Sequence, residues 1–157
     1  MIEAIERRVI GFAYRLVGNP AAAEDVAQEV FLKICLHLGQ YRGGSFLAWV
    51  YRIVVNQAHD YWRRAGPAPI EAAEPATGPG FDAEREQQMR RVNQAMRVLS
   101  QKERAALILI DLEGFSSPEA GHTLGCLAIT ARVRAAQARK KLRRALSRYY
   151  PELREAK

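Results

Sequence analysis

No apolar run in this 157-residue sequence approaches the roughly 18 residues that a membrane-spanning helix needs. Cysteine is scarce: Cys35 and Cys126 stand far apart and form no CxxC, which excludes a disulfide framework. Cys35-x-His37 lacks the two further ligands of a zinc site, so a buried free thiol is the expected state and no metal is expected. No glycine loop ends in GK[ST]; "GNPAAAED" does not, so nothing cradles a nucleotide phosphate and no cofactor is called for. His37, His59 and His122 fall in separate segments, and no Ser/His/Asp or paired-carboxylate set is visible, which leaves an enzyme the least favoured class. Period-2 alternation is missing as well, so the expected fold class is all-α. The most telling absence is acidic: no Asp or Glu occurs from Ala120 to Pro151. The N-terminal "MIEAIERRVIGFAYRL" reads as an amphipathic helix with Glu3 and Glu6 and no small-residue cleavage site, so a cytoplasmic location is expected.

What is present is a chain with 48% apolar and 26% charged residues, enough for a packed core under an ordinary surface. Its net charge of +7 is unevenly placed. Residues 1–65 carry 8 basic and 6 acidic groups, residues 66–86 carry 1 and 5, and residues 87–157 carry 15 and 6. A basic final third is an electrostatic footprint for nucleic acid. Residues 66–80, "GPAPIEAAEPATGPG", are too rich in proline and glycine for regular structure. The chain therefore divides into a helical domain at 1–65, a flexible linker at 66–86 and a second helical domain at 87–157.

In the first domain, Asn19 caps a helix with Pro20 in its first turn and Gly39 at its close, in the left-handed residue that ends many helices. Val26, Val30, Ile34 and Leu38 recur every four residues as a core face, while Asp25, Gln28 and Glu29 share another side. After Gly43-Gly44 a helix is expected over Ser45–Arg64. Phe46, Val50, Ile53 and Ala58 can bury; Arg52, Arg63 and Arg64 supply charge. Aromatics interleaved with arginine hold unstacked bases, rings on bases and guanidinium groups on phosphates. Trp49 is assigned to the core, whereas Tyr61 and Trp62 fit base stacking and core packing equally.

The second domain opens with a helix from about Asp82 to Val98. Ser100 and Glu103 form a capping box, and Ser116 to Glu119 offers a second start signal. A short helix to Leu124, a turn at Gly125 and a long helix from about Ala128 make a helix-turn-helix pattern. Ala131, Ala135, Ala138 and Leu142 form the stripe that should bury. Arg132, Val133, Ala136, Gln137 and Lys140 lie opposite, where major-groove base edges would meet them. Thr130, Arg134, Arg139, Lys141, Arg143 and Arg144 flank that face and suit phosphates.

The order of these blocks resembles the extracytoplasmic-function (ECF) sigma factors of the sigma-70 family. "AEDVAQEVFLKI" and "YRGGSFLAWVYRIVVNQAHDYWRR" are similar to region 2 of that family; "LSQKERAALILIDLEGFSSPEAGHTLG" and "TARVRAAQARKKL" are similar to region 4. The resemblance implies a protein that binds RNA polymerase core, directs it to promoter DNA and helps melt the −10 region. Asp25, Gln28 and Glu29 would meet the clamp helices of the largest polymerase subunit, and region 4 would also touch the flap. Arg42, Ser45, Arg52, Asn56, Tyr61, Trp62, Arg63 and Arg64 would serve the −10 element, and the long basic helix the −35 element. An anti-sigma factor is the further partner implied. The alternative is a stand-alone helix-turn-helix regulator that binds operator DNA without polymerase, a reading that leaves the first domain without work.

Departures from the family pattern carry expectations of their own. Leu127 stands where a capping serine is usual, a loss of about 1 kcal/mol. Gly121 inside the short helix should cost roughly 1 kcal/mol relative to alanine. Ala120, Ala131 and Ala135 replace larger aliphatics, so the second domain either packs loosely or brings its helices closer together.

Overall fold

The computed structural model describes residues 2–66 and 82–155, so most of the expected linker lies outside the described residues. Three helices build the first domain: α1 (Ile2–Val17), α2 (Pro20–His37) and α3 (Phe46–Ala65). Asn19 caps α2 by accepting from the Ala22 amide at 3.0 Å, and Pro20 occupies the first turn where no amide partner is needed. Val9, Phe12 and Leu16 of α1 meet Val26 and Val30 of α2 and Val50 and Val54 of α3 in a closed core.

The four-residue apolar stripe of α2 is buried only in its first half. Ile34 is half-buried and Leu38 is 53% exposed, because the distal end of α2 projects past the faces that cover Val26 and Val30. Gly39 is not left-handed; the chain leaves α2 through a 3₁₀ turn at Leu38–Gln40 and needs no positive φ there. Cys35 is exposed, not buried, for the same reason of projection.

The second domain contains α4 (Ala83–Met96), α5 (Gln101–Leu107), α6 (Ser117–Leu124) and α7 (Ala128–Leu146). Both capping boxes form: Ser100 Oγ accepts from the Glu103 amide at 3.2 Å while the Ser100 amide donates to Glu103 Oε2 at 2.9 Å, and Ser116 and Glu119 repeat the exchange. A π turn at Ile108–Leu112 follows α5, a feature that apolar periodicity does not announce. The widened turn carries two carboxylates to opposite sides. Asp111 pairs with Arg139 of α7 at 2.7 Å, and Glu113 pairs with Arg15 of α1 at 2.9 Å. Leu99, Leu107 and Ala138, with Met96 and Leu142 beside them, form a small core between α4, α5 and α7. Arg91 holds α4 to the chain after α7 by lying 5.2 Å from the Tyr149 ring and 5.7 Å from the Tyr150 ring.

The two domains share one core. Ala105, Ile108, Leu109, Ala120 and Ala131 of the second domain join the cluster built on α1, α2 and α3. Tyr51 of α3 stacks on Phe12 at 4.2 Å and on Phe115 at 5.8 Å, and its hydroxyl donates to Glu113 Oε2 at 2.9 Å. Burial first, then the Glu113 carboxylate, pushes the Tyr51 phenol far above its ordinary range, so it stays a donor. Arg104 makes the deepest polar contact: it is 7% exposed and donates to the Leu16 carbonyl at 3.1 Å and the Met96 carbonyl at 2.6 Å. It thus places a cation at the C-terminal ends of α1 and α4, where helix dipoles favour it.

Replacing Arg104 with alanine leaves both carbonyls without their charged donor, and a loss of about 2–4 kcal/mol in unfolding free energy is expected from urea titration; an unchanged midpoint would reject this role. His59, half-buried near α5, is pushed below its ordinary pKa of 6.5, first by burial, with Lys102 and Arg63 adding to it and Gln101 and Asp60 opposing. The folded chain therefore binds this proton more weakly than the unfolded one. Stability is full above the ordinary value and declines as pH falls through it towards the lower folded value. Thermal midpoints measured from about pH 7.5 to about pH 5.5 should fall, and His59→Gln should flatten that slope.

Candidate nucleic-acid interface

Helix α7 has 19 residues and so extends about 28 Å. Ala131, Ala135 and Ala138 are fully buried and Leu142 is half-buried, so the alanine stripe faces the domain. Arg132, Val133, Ala136, Gln137 and Lys140 all face solvent, with Val133 44% exposed. Thr130 and Arg134 are half-buried at the edges of this face. Leu127 at the head of α7 offers no side-chain cap and is 73% exposed.

The flanking cations are not all available. Arg139 donates to both oxygens of Asp111, and Lys141 meets Glu103 at 2.8 Å. Burial pushes the Glu103 carboxyl up, but the Lys141 ammonium and the Ser100 amide outweigh it and hold the group below the ordinary range. The acids missing from α7 itself are thus supplied across the domain, from α5 and the π turn. Arg132 and Lys140 on the reading face have no such pairing among the described residues.

The small residues of the helix-turn-helix close the packing instead of loosening it. A Cβ placed on Gly121 would come within 2.7 Å of the Cys126 carbonyl oxygen and 3.1 Å of the Ala128 amide. Ala120, Ala131 and Ala135 are each at zero exposure. Gly121 is therefore a site of close approach between α6 and the turn, not merely a weak helix former. Gly125 ends α6 at φ 66°, as expected of a left-handed stop.

In the first domain, α3 divides its residues among three faces. Arg52, Asn56 and Arg63 are exposed along one stripe, with Arg63 bound to Asp60. The loop Arg42–Ser45 lies at the head of this stripe. Gly43 and Gly44 adopt φ 95° and 88°, the Tyr41 hydroxyl donates to the Gly44 carbonyl at 2.6 Å, and Ser45 caps α3 through the Ala48 amide at 3.2 Å. Below the loop, Trp49 lies 5.7 Å from Tyr41 and 5.6 Å from Phe46, a packed aromatic cluster in keeping with its assignment to the core. Trp62 is half-buried, 5.6 Å from His59, on the side that meets the shared core.

The third face of α3 looks at α2. There Tyr61 and Arg64 line one pocket of about 320 Å³ with Asp25, Gln28, Glu29 and Gln57. Residues that the sequence reading divided between polymerase and DNA are thus neighbours. Sequence reasoning gave Gln57 no role. Its signal is a polar residue at the inward spacing Val50, Val54, Gln57, Tyr61.

Gly121→Ala provides a direct check on the close approach in the helix-turn-helix. Helix propensity alone would make it stabilising by up to about 1 kcal/mol; the contact with the Cys126 carbonyl makes it destabilising, by about 1–3 kcal/mol, which a thermal or urea midpoint will read directly.

Comparison with known proteins gives two family matches, sigma-70 region 2 over residues 1–67 and sigma-70 region 4 over residues 89–142. The chain is similar to the ECF RNA polymerase sigma factor SigE of Mycolicibacterium smegmatis, 35% identical over 92% of this chain and 60% of that protein. It therefore spans less than two thirds of that relative's length. It is also similar to the RNA polymerase sigma-H factor of Pseudomonas aeruginosa, 32% identical over 96% of this chain and 85% of that one. Among solved structures, the sigma factor RpoE in complex with the anti-sigma factor NepR from Bartonella quintana superposes with a TM-score of 0.75 at 26% identity, covering 93% of this chain and 94% of that one. CnrH in complex with the cytosolic domain of CnrY gives 0.69 at 25% identity, covering 93% and 85%. With both regions matched in this order, and an all-helical fold to carry them, the chain belongs to the sigma-70 family as an ECF sigma factor.

Proposed function

We propose that the chain binds RNA polymerase core, directs it to promoters and helps open the −10 region, acting in the cytoplasm by binding and not by catalysis. The observation that carries this reading is the geometry of α7: its alanine stripe is buried and its reading face is open. Arg132, Gln137 and Lys140 would meet base edges, Val133 and Ala136 would meet thymine methyls, and Thr130 and Arg134 would border the phosphates of the −35 element, joined by Arg139 once it leaves Asp111. Arg42, Ser45, Arg52, Asn56 and Arg63 would face the −10 strand, with Tyr61 and Trp62 at the end of α3 and Arg64 beside them. Asp25, Gln28 and Glu29 would meet the clamp helices, and region 4 the flap. Domain boundaries at 1–65, 66–86 and 87–157 suit this division of labour.

The closed arrangement bears on regulation. The −10 and −35 elements lie roughly 25 base pairs apart, about 85 Å at 3.4 Å per pair. A compact chain of this size has a radius of gyration of only about 15 Å. The domains must therefore part, breaking the Tyr51–Glu113–Arg15 contacts, before both elements are held at once. The RpoE relative was captured with the anti-sigma factor NepR, and CnrH with the cytosolic domain of CnrY, which supports an anti-sigma partner for this chain. A stand-alone operator-binding regulator is not favoured, since region 2 would then have no use.

Run-off transcription with cognate core polymerase tests the reading: specific initiation should appear only when the protein is added. Arg132→Ala should reduce it about 10-fold or more, in line with one lost base pairing, while leaving core binding intact. No specific initiation at any promoter of the cognate genome would reject the proposal.

A further inference from the structure

We infer that the cavity between the two domains binds a small amphipathic carboxylate, its headgroup on Arg104 and its apolar chain against α4 and the π turn, and that this ligand holds the domains closed. The effect on initiation rests on the reading that the domains must part to hold both promoter elements; the binding does not.

The cavity measures about 600 Å³, within the size of small-ligand sites. Its walls come from α1, α4, α5, the π turn and α7, so an occupant touches both domains at once. Met89 and Val92 of α4 and Leu112 of the π turn line it and are exposed, while Leu107 and Leu142 on the same walls are more buried. A short alkyl chain laid there would take that apolar surface out of water.

One cation singles the site out. Arg104 lines the cavity and is 7% exposed. Its Nη1 and Nη2 donate to the Leu16 and Met96 carbonyls. Its Nε has no hydrogen-bond partner, and no carboxylate pairs with it, among the described residues. Burial first, then Arg97, pulls its pKa below the ordinary value, the direction expected of a cation held without a counter-charge. The guanidinium stays protonated all the same, and buried charges are ordinarily paired. Arg15 and Arg139 on the same walls are already held by Glu113 and Asp111.

A single unmet guanidinium matches a single negative charge. A carboxylate supplies it and accepts from Nε, whereas a phosphate brings about −1.5 to −2 and leaves charge unanswered between apolar walls. A helix of a protein partner is too bulky: two turns about 10 Å across occupy roughly 850 Å³, against the cavity's 600 Å³. A ligand that binds the closed form alone lowers the share of open chain, by about 10-fold at ten times its dissociation constant.

The test uses the full chain and octanoate, with octanol and acetate as the chain and the headgroup alone. Octanoate should raise the thermal midpoint saturably, by about 3–6 °C at ten times its dissociation constant; octanol and acetate at the same concentration should not. No saturable shift leaves the cavity to a side chain of a protein partner and overturns the inference, and an equal shift with octanol overturns the carboxylate. In the ¹⁵N-labelled chain, the Arg104 Nε–H resonance should move with octanoate and stay still with octanol; a resonance that ignores octanoate overturns the assignment to Arg104. Met89→Glu sets a carboxylate on an exposed part of the wall, so it should keep the parent's midpoint and weaken octanoate about 10-fold. If it lowers the midpoint, Leu112→Glu takes its place; parent-like octanoate affinity in the folded variant overturns the placement of the chain. With core polymerase below saturation, octanoate at ten times its dissociation constant should cut specific run-off initiation about 10-fold and spare a promoter served by a different sigma factor. Unchanged initiation with the site filled overturns the closing role. Absence of specific initiation without octanoate counts against the sigma reading alone, because the midpoint and the resonance judge the binding independently.

Discussion

The guanidinium of Arg104 sits where two helices end and two domains meet. Its donors reach the carbonyl of Leu16 at the end of α1 and that of Met96 at the end of α4, so one buried cation satisfies acceptors from both halves of the chain. A charge so deeply buried is tolerable only because those carbonyls and their helix dipoles replace the water it gave up. Around this point α5 is fixed against α1, and the π turn that follows can aim Glu113 at Arg15 and Tyr51 and Asp111 at Arg139. The relation of the two domains thus rests on a few polar contacts set in a shared apolar core. That combination can hold a closed form and still be broken when a stronger partner competes for the same surfaces.

The reading helix depends on the same economy of small residues. A buried stripe of alanines lets α7 lie close to its neighbours, and Gly121 lets α6 approach the turn within a distance that no Cβ could enter. Read singly, each of these residues is a weakness, a poor helix former or a small core filler. Read together, they exchange side-chain volume for proximity, and the reading face is presented by a support with little slack. The basic surface is also more selective than the sequence implies. Asp111 and Glu103 engage Arg139 and Lys141 from other elements, whereas Arg132 and Lys140 on the reading face have no ion-pair partner among the described residues.

Helix α3 shows how one segment serves three surfaces. Its spacing sends Tyr51 and Trp62 toward the shared core, Arg52, Asn56 and Arg63 to solvent, and Gln57, Tyr61 and Arg64 toward α2. The arginines of the "YWRR" end, adjacent in sequence, therefore belong to different faces. A helix turns by about 100° per residue, so neighbours along the chain part company on its surface.

Much was legible in the sequence because it is local. Caps at Asn19, Ser100 and Ser116, the stop at Gly125 and the buried alanine stripe each follow from side chains within a turn or two of one another, and so does the open face of α7. Other features were not, because they depend on what lies across a gap. The burial of α2 stops after Val30 although its pattern runs on to Leu38; Gly39 needs no left-handed turn; Cys35 is open to water; and Gly121 is required by the backbone it meets. By itself, the sequence determined the helices, their caps and which side of the basic helix could face DNA, since those are set by period and by short-range hydrogen bonds. Only the tertiary structure decided that the domains share a core through Arg104, and that Gln57 is buried between α2 and α3 in the pocket that Asp25, Glu29 and Arg64 line. Burial and long-range pairing depend on residues distant in the chain, and no local spacing records them.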